Sequence, residues 1–271
     1  MEHKNYADLT FTDSFMFNKV MLDELICRKV LSLLLGYDIG PLDEIKHEES
    51  IQVSAQNKPI RLDIFTKDDK AYYDAEMQND NKQSRENLAL PRRSRYYQSM
   101  MDIDAIDKGQ EYRNLLNSNV IFICTFDPFG LGLPVYTFTN KCREEPSLEL
   151  SDGCTKYFFN ITANIDKVPN DLKAFFRYTV SKEVTDDLTK EIDSKLDTCR
   201  TNEAWRAEYM YWNLLEQDAK AAGREEGREE ERAKTAQAIL ERDNAVAKYD
   251  DALAEVNRLK ELLAKNGITV E

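Results

Sequence analysis

The stretch YYDAEMQ, residues 72–78, sets two acids and an amide at alternate positions of an otherwise apolar and aromatic run. Side chains of a strand alternate between faces, so Tyr72, Asp74, Glu76 and Gln78 share one side and Tyr73, Ala75 and Met77 the other. A second run, IRLDIF at 60–65, carries Asp63 thirteen residues before Glu76, and KDDK at 67–70 reads as a tight turn between the two. The pair is therefore expected to form an antiparallel hairpin. Register decides whether Asp63 meets Glu76, because a slip of one residue turns its carboxylate to the other face. Acids placed on strands have two explanations: solvation of an exposed sheet face, or a divalent metal held between neighbouring strands.

Working outward, apolar residues recur at helical spacing over 14–35, from Phe17 and Val20 to Leu33 and Leu34, and predict one buried helix. Thr10 with Asp13 offers a start and Gly36 an end. A further strand is expected near 49–54, then a helix from Asn79 to about Lys108 that Pro91 either kinks or restarts. VIFICTF at 120–126 reads as a buried strand, 134–139 and 156–162 as further strands, and 170–200 as short helices. That order gives an α/β fold with a mixed sheet. Neither GxGxxG nor GxxxxGK[ST] occurs, which argues against dinucleotide and P-loop chemistry.

After Trp212 the chain becomes rich in Ala, Glu, Lys and Arg, as in a long exposed helix. Ile239, Val246 and Leu253 fall seven apart, as do Tyr249, Val256 and Leu263, with Arg242 and Lys260 interrupting the seam. Coiled-coil pairing and a solitary helix both remain open. The expected division is a domain over 1–200 and a helical extension over 201–271.

With 271 residues the chain supports one large domain plus an extension, and its net charge of −13 argues against indiscriminate coating of polyanions. A local basic patch is still compatible with nucleic acid. Five scattered cysteines without a CxxC, and only His3 and His47 as imidazoles, disfavour a structural zinc site and fit free thiols. MEHKNYADLT lacks the apolar centre of a signal peptide, and VLSLLLG is too short to cross a bilayer. A cytoplasmic location with no membrane partner is expected.

RLDIF, YYDAEMQ, RRSRYY, GQEY and NVIFICTF, in that order, resemble the PD-(D/E)XK nuclease-family transposases, or recombination-promoting nucleases, over about residues 8–165. The resemblance implies a restriction-endonuclease-like core, a central mixed β-sheet flanked by helices, followed here by the long C-terminal helical tail. It implies Mg²⁺, with Mn²⁺ as a substitute, held by Asp63, Glu76 and the carbonyl of Met77. Gln78 takes the place of the motif lysine in an ExQ variant. Its neutral amide can orient a water or a phosphate oxygen but cannot serve as a general base. An additional acid is expected from Glu24 or Glu49, with Glu48 as a near equivalent; Asp13 matches an acidic position or serves as a cap. Asp74 shares the face of Glu76 and either contributes to the site or, as the plainer reading, is an exposed edge carboxylate.

Between Lys82 and Gln98 five cations, Lys82, Arg85, Arg92, Arg93 and Arg95, stand against Glu86 alone, a net +4. They are candidates for DNA-phosphate contacts, with surface salt bridging as the plainer alternative. Tyr96, Tyr97 and Tyr112 match aromatic positions of the family and read as core or boundary residues. The expected function is a divalent-metal-dependent DNA endonuclease of low sequence specificity, linked to recombination or mobile DNA. The competing expectation is a catalytically degenerate DNA- or protein-interaction module that assembles through its C-terminal helix as a homo-oligomer. A third is a nuclease regulated by its own acidic tail.

Overall fold

The computed structural model describes residues 4–51, 60–79, 89–106 and 109–265. Where one helix was expected over 14–35 there are two, α1 (Ser14–Met21) and α2 (Glu24–Leu35). Asp23 makes the division: its carboxylate accepts the Ile26 N–H at 3.4 Å and starts the second helix. Gly36 ends that helix in the left-handed region at φ 76°.

Strands β1 (Lys46–Ile51), β2 (Ile60–Lys67) and β3 (Ala71–Gln78) form an antiparallel meander. The turn between β2 and β3 is fixed by Asp68, whose Oδ1 accepts the N–H groups of Lys70 and Ala71 at 2.8 Å. Helix α3 (Ala89–Ala105) follows, with Pro91 in its first turn, where a missing N–H costs nothing. The helical reading of 80–88 lies outside the described residues.

Strand β4 (Asn117–Cys124) returns parallel to β3, and β6 (Cys154–Asn160) lies parallel to β4, with β5 (Val135–Phe138) antiparallel on the edge. The result is a six-stranded mixed sheet in the order β1-β2-β3-β4-β6-β5. Helices α4 (Lys173–Ser181) and α5 (Asp187–Arg200) join α1 and α2 on one face. Their core includes Phe17, Val30, Phe175 and Ile192 against Ile64, Tyr73, Met77 and Ile121. On the other face α3 places Leu90, Met100 and Met101 over Phe65, Val120, Phe122 and Phe158. β4 is covered on both sides, which is why its run is almost wholly apolar.

The last helix, α6 (Glu203–Lys265), spans two compact units, Met1–Tyr209 and Met210–Glu271. In the first, the Tyr209 ring packs tilted against Tyr6 at 5.6 Å and edge-on against Phe15 at 5.2 Å. Beside it the buried Lys19 pairs with Glu208 at 2.9 Å. In the second, Ile239, Val246, Tyr249, Leu253 and Val256 are all exposed. Among the described residues no helix is long and apolar enough to cross a membrane.

Candidate active site

The regular ladder between β2 and β3 runs from Lys67 opposite Tyr72 to Ile64 opposite Ala75. One step on, where Asp63 meets Glu76, side chains replace backbone carbonyls as acceptors. The Asp63 N–H donates to Glu76 Oε1 at 2.9 Å, and the Met77 N–H donates to Asp63 Oδ2 at 3.1 Å. Each carboxylate thus holds an amide of the opposite strand, and both lie in the seam between the strands. β2 twists at this point, because Leu62 packs in the core under α3 while Ile64 belongs to the core on the opposite face. Simple alternation would have put these two on one side.

Around the seam the acids differ in exposure. Asp63 is half-buried. Glu76 is 4 % exposed, Gln78 9 % and Asp74 0 %. Both Asp74 carboxylate oxygens lack a hydrogen-bond partner among the described residues. Asp74 is therefore not an exposed edge carboxylate as expected: β2 and β4 flank its strand, and the core under α3 closes over its face.

Arg93 brings a cation to this cluster. From α3 its Nη2 donates to Gln78 Oε1 at 2.6 Å and to Glu76 Oε2 at 3.4 Å. Its guanidinium lies over the rings of Phe122, at 4.9 Å, and Tyr97, at 5.3 Å. Burial, reinforced by the charges of Asp63 and Asp74, pushes the Glu76 carboxyl well above its usual range, and Arg93 opposes the shift. Burial and the Asp63 charge push Asp74 the same way.

The structure thus brings together Asp63, Glu76, Gln78 and Arg93. Met77 contributes its amide, with its side chain in the opposite core. Glu24 is the first residue of α2, and its carboxylate accepts the Leu42 N–H at 3.5 Å. Glu49 stands opposite Leu62 in the β1–β2 register, which leaves position 48 opposite Asp63; the side chains of Glu48 and Glu49 lie outside the described residues. Asp13 shapes the turn before α1, accepting the Thr10 N–H at 2.7 Å and pairing with Lys4 at 2.7 Å. Arg92 and Arg95 are exposed on α3, and Lys82 and Arg85 lie outside the described residues. Tyr96 and Tyr97 pack against the core under α3, whereas Tyr112 is almost fully exposed.

Sequence reasoning grouped Arg93 with its outward neighbours. The available signal was its spacing of four from Tyr97, which puts both on one side of α3, away from Arg92 and Arg95. Chemically, the seam offers hard oxygen donors, with Asp63 toward solvent and the charge of the three carboxyl groups only partly offset by one guanidinium. That donor set suits a small oxygen-seeking cation that keeps part of its water shell. Among the described residues no group of three or more His, Cys, Asp or Glu is placed to hold a metal ion. Compared with models of known families, with curated proteins and with solved structures, the chain matches none.

Proposed function

We propose that the chain is a divalent-metal-dependent DNA endonuclease of low sequence preference, linked to recombination or mobile DNA. The observation that carries this reading is the seam at Asp63 and Glu76, where each of two carboxylates from neighbouring strands accepts a backbone N–H of the opposite strand, Glu76 from Asp63 and Asp63 from Met77. Behind it Asp74 is fully buried with its carboxyl pushed above the usual range, and a hard cation on the neighbouring acids would lower the cost of ionising the cluster. Asp63 and Glu76, with the Met77 carbonyl, would hold Mg²⁺ or Mn²⁺. Such an ion, when bound, neutralises charge on a phosphodiester and renders a water more nucleophilic.

The chain's own groups supply the rest. Two backbone amides fix the acids on strands, which hold position better than loops. Gln78 and Arg93 form a hydrogen-bonded polar wall beside them. Exposed Arg92 and Arg95, three apart on α3, suit neighbouring phosphates, a contact that carries affinity without reading sequence.

Purified protein should nick plasmid DNA with Mg²⁺ or Mn²⁺ and stop in EDTA. Asp63→Ala and Glu76→Ala should each abolish nicking. Undiminished cleavage by the folded double variant rejects the site.

The exposure of Ile239, Val246 and Leu253 favours a second role for α6, self-association through a helical seam. It is compatible with either an active or a degenerate site. The mass in solution of full-length protein against Val246→Glu/Leu253→Glu tests it, and an unchanged mass rejects it.

A further inference from the structure

Arg93 differs from its neighbours on α3 in a way that the proposed activity leaves unexplained. One nitrogen, Nη2, serves both Gln78 and Glu76, at 2.6 Å and 3.4 Å. The contact with Glu76 is thus the looser of the two. Nε is buried without a hydrogen-bond partner, although the side chain as a whole keeps 29 % of its exposure. A guanidinium placed only for stability would be expected to use its fork of donors on the carboxylate, in two parallel bonds. Here the plane is set instead by the rings of Phe122 and Tyr97. The rings and the Gln78 bond keep the charge at the site without committing it to Glu76.

Resting on the metal-site reading above, we propose that Arg93 is a resident counter-ion of Glu76 which a divalent cation displaces, releasing its guanidinium to a phosphodiester oxygen. Without metal, the positive charge that meets Glu76 among the described residues is Arg93, and it offsets part of the repulsion among Asp63, Asp74 and Glu76. A divalent cation on Glu76 takes over that role and repels the guanidinium. The aromatic platform keeps the released cation close, where an anionic phosphate is its natural partner. Arg93 would then oppose metal binding and favour DNA binding. A purely structural arginine would support both or neither.

The test uses full-length protein, with Arg93→Met retaining the aliphatic stem over the rings. Isothermal titration with Mn²⁺ should give binding about fivefold tighter than wild type, as expected for loss of a competing, partly exposed ion pair. Anisotropy titrations of a short DNA duplex with Ca²⁺, a divalent cation that lets binding be read apart from cleavage, should show weaker binding by Arg93→Met, with a log–log salt slope smaller by about 0.9, one phosphate contact, whereas in EDTA, with Arg93 held on Glu76, the two proteins should bind alike. Should Arg93→Met fail to fold, Arg93→Gln keeps an amide donor at the position, removes the charge and should tighten Mn²⁺ binding in the same direction. Mn²⁺ affinity unchanged or weakened in the folded variant overturns the counter-ion role, and an unchanged salt slope overturns the phosphate role. If neither wild type nor variant binds Mn²⁺, the metal-site reading itself falls and this inference falls with it.

Discussion

Asp74 and Asp63 are acids of the same hairpin with different energetic standing. Asp63 reaches solvent and holds an amide, whereas Asp74 is buried with both oxygens unbonded. An unsatisfied buried polar group costs roughly 1–3 kcal/mol. Asp74→Asn keeps the shape, removes the charge and adds a donor toward Glu76. Thermal melts in EDTA should therefore rise by about 2–6 °C for a domain of this size. The same residues give a pH dependence. Burial first, and then neighbouring carboxylates, raise Glu76 and Asp74 above their unfolded values, so folding favours their protonated forms. That stability is fully present below the ordinary carboxylate range and is lost as pH climbs through the raised values. In EDTA the melting temperature should fall from mildly acidic to neutral pH, and Asp74→Asn should flatten the decline. Alternation in YYDAEMQ revealed the shared face of Asp74, Glu76 and Gln78. It carried no information on which of them a neighbouring helix would cover, because that depends on α3, joined to β3 through residues 79–88.

At the scale of elements, the hairpin and its turn were legible because local chemistry writes both: alternation in the strands and Asp68 in the turn. The break between α1 and α2 was not, since Leu22 and Asp23 interrupt the apolar pattern too briefly to register. Only the cap at Asp23 separates the helices, with Lys195 bonding its carboxylate at 3.0 Å from α5. Nor was the order β4-β6-β5 readable, because parallel neighbours are joined by crossovers whose pairing leaves no mark on adjacent residues. The ion pair between α1 and α6 predicts an asymmetry. The Lys19 side chain is 5 % exposed and that of Glu208 33 %. Glu208→Ala strands a buried ammonium and should cost about 3 kcal/mol, near the lower bound for breaking a buried pair. Lys19→Met removes the buried charge, keeps the packing beside Phe15 and Trp205, and leaves a carboxylate that water can reach. It should cost less than about 1 kcal/mol. Denaturant melts of the two variants check the order, and equal losses would refute it.

Over the whole molecule, compactness divides the chain after Tyr209. The sequence alone drew its line near residue 200, where the short helices end, because the change in composition after Trp212 gives no sign that Trp205 and Tyr209 belong to the core. A chain ending at Tyr209 retains Trp205, Glu208 and Tyr209 and should melt within about 2 °C of the full-length protein, as expected when no core residue is removed. A chain ending at Asn202 loses the rings against Tyr6 and Phe15 together with the partner of Lys19, and should melt well below both. Equal melting of the two truncated chains would show that the start of α6 contributes nothing to the fold. The net charge of −13 also bears on nucleic-acid binding at this scale. Any DNA affinity has to overcome the molecule's overall repulsion through local cations such as Arg92 and Arg95, so it should fall steeply with added salt.

The seam between β2 and β3 has a spectroscopic consequence. The Asp63 and Met77 amide protons end on carboxylate oxygens, so their chemical shifts and their exchange with deuterated solvent follow the charge state of those two acids. Protonating a carboxylate, or drawing its electron density toward a cation, weakens the bond and moves two assigned peaks in a nitrogen–proton correlation spectrum. The chain therefore carries a built-in pair of isotopic reporters, readable without substrate, at the position where occupancy of the site would first be felt.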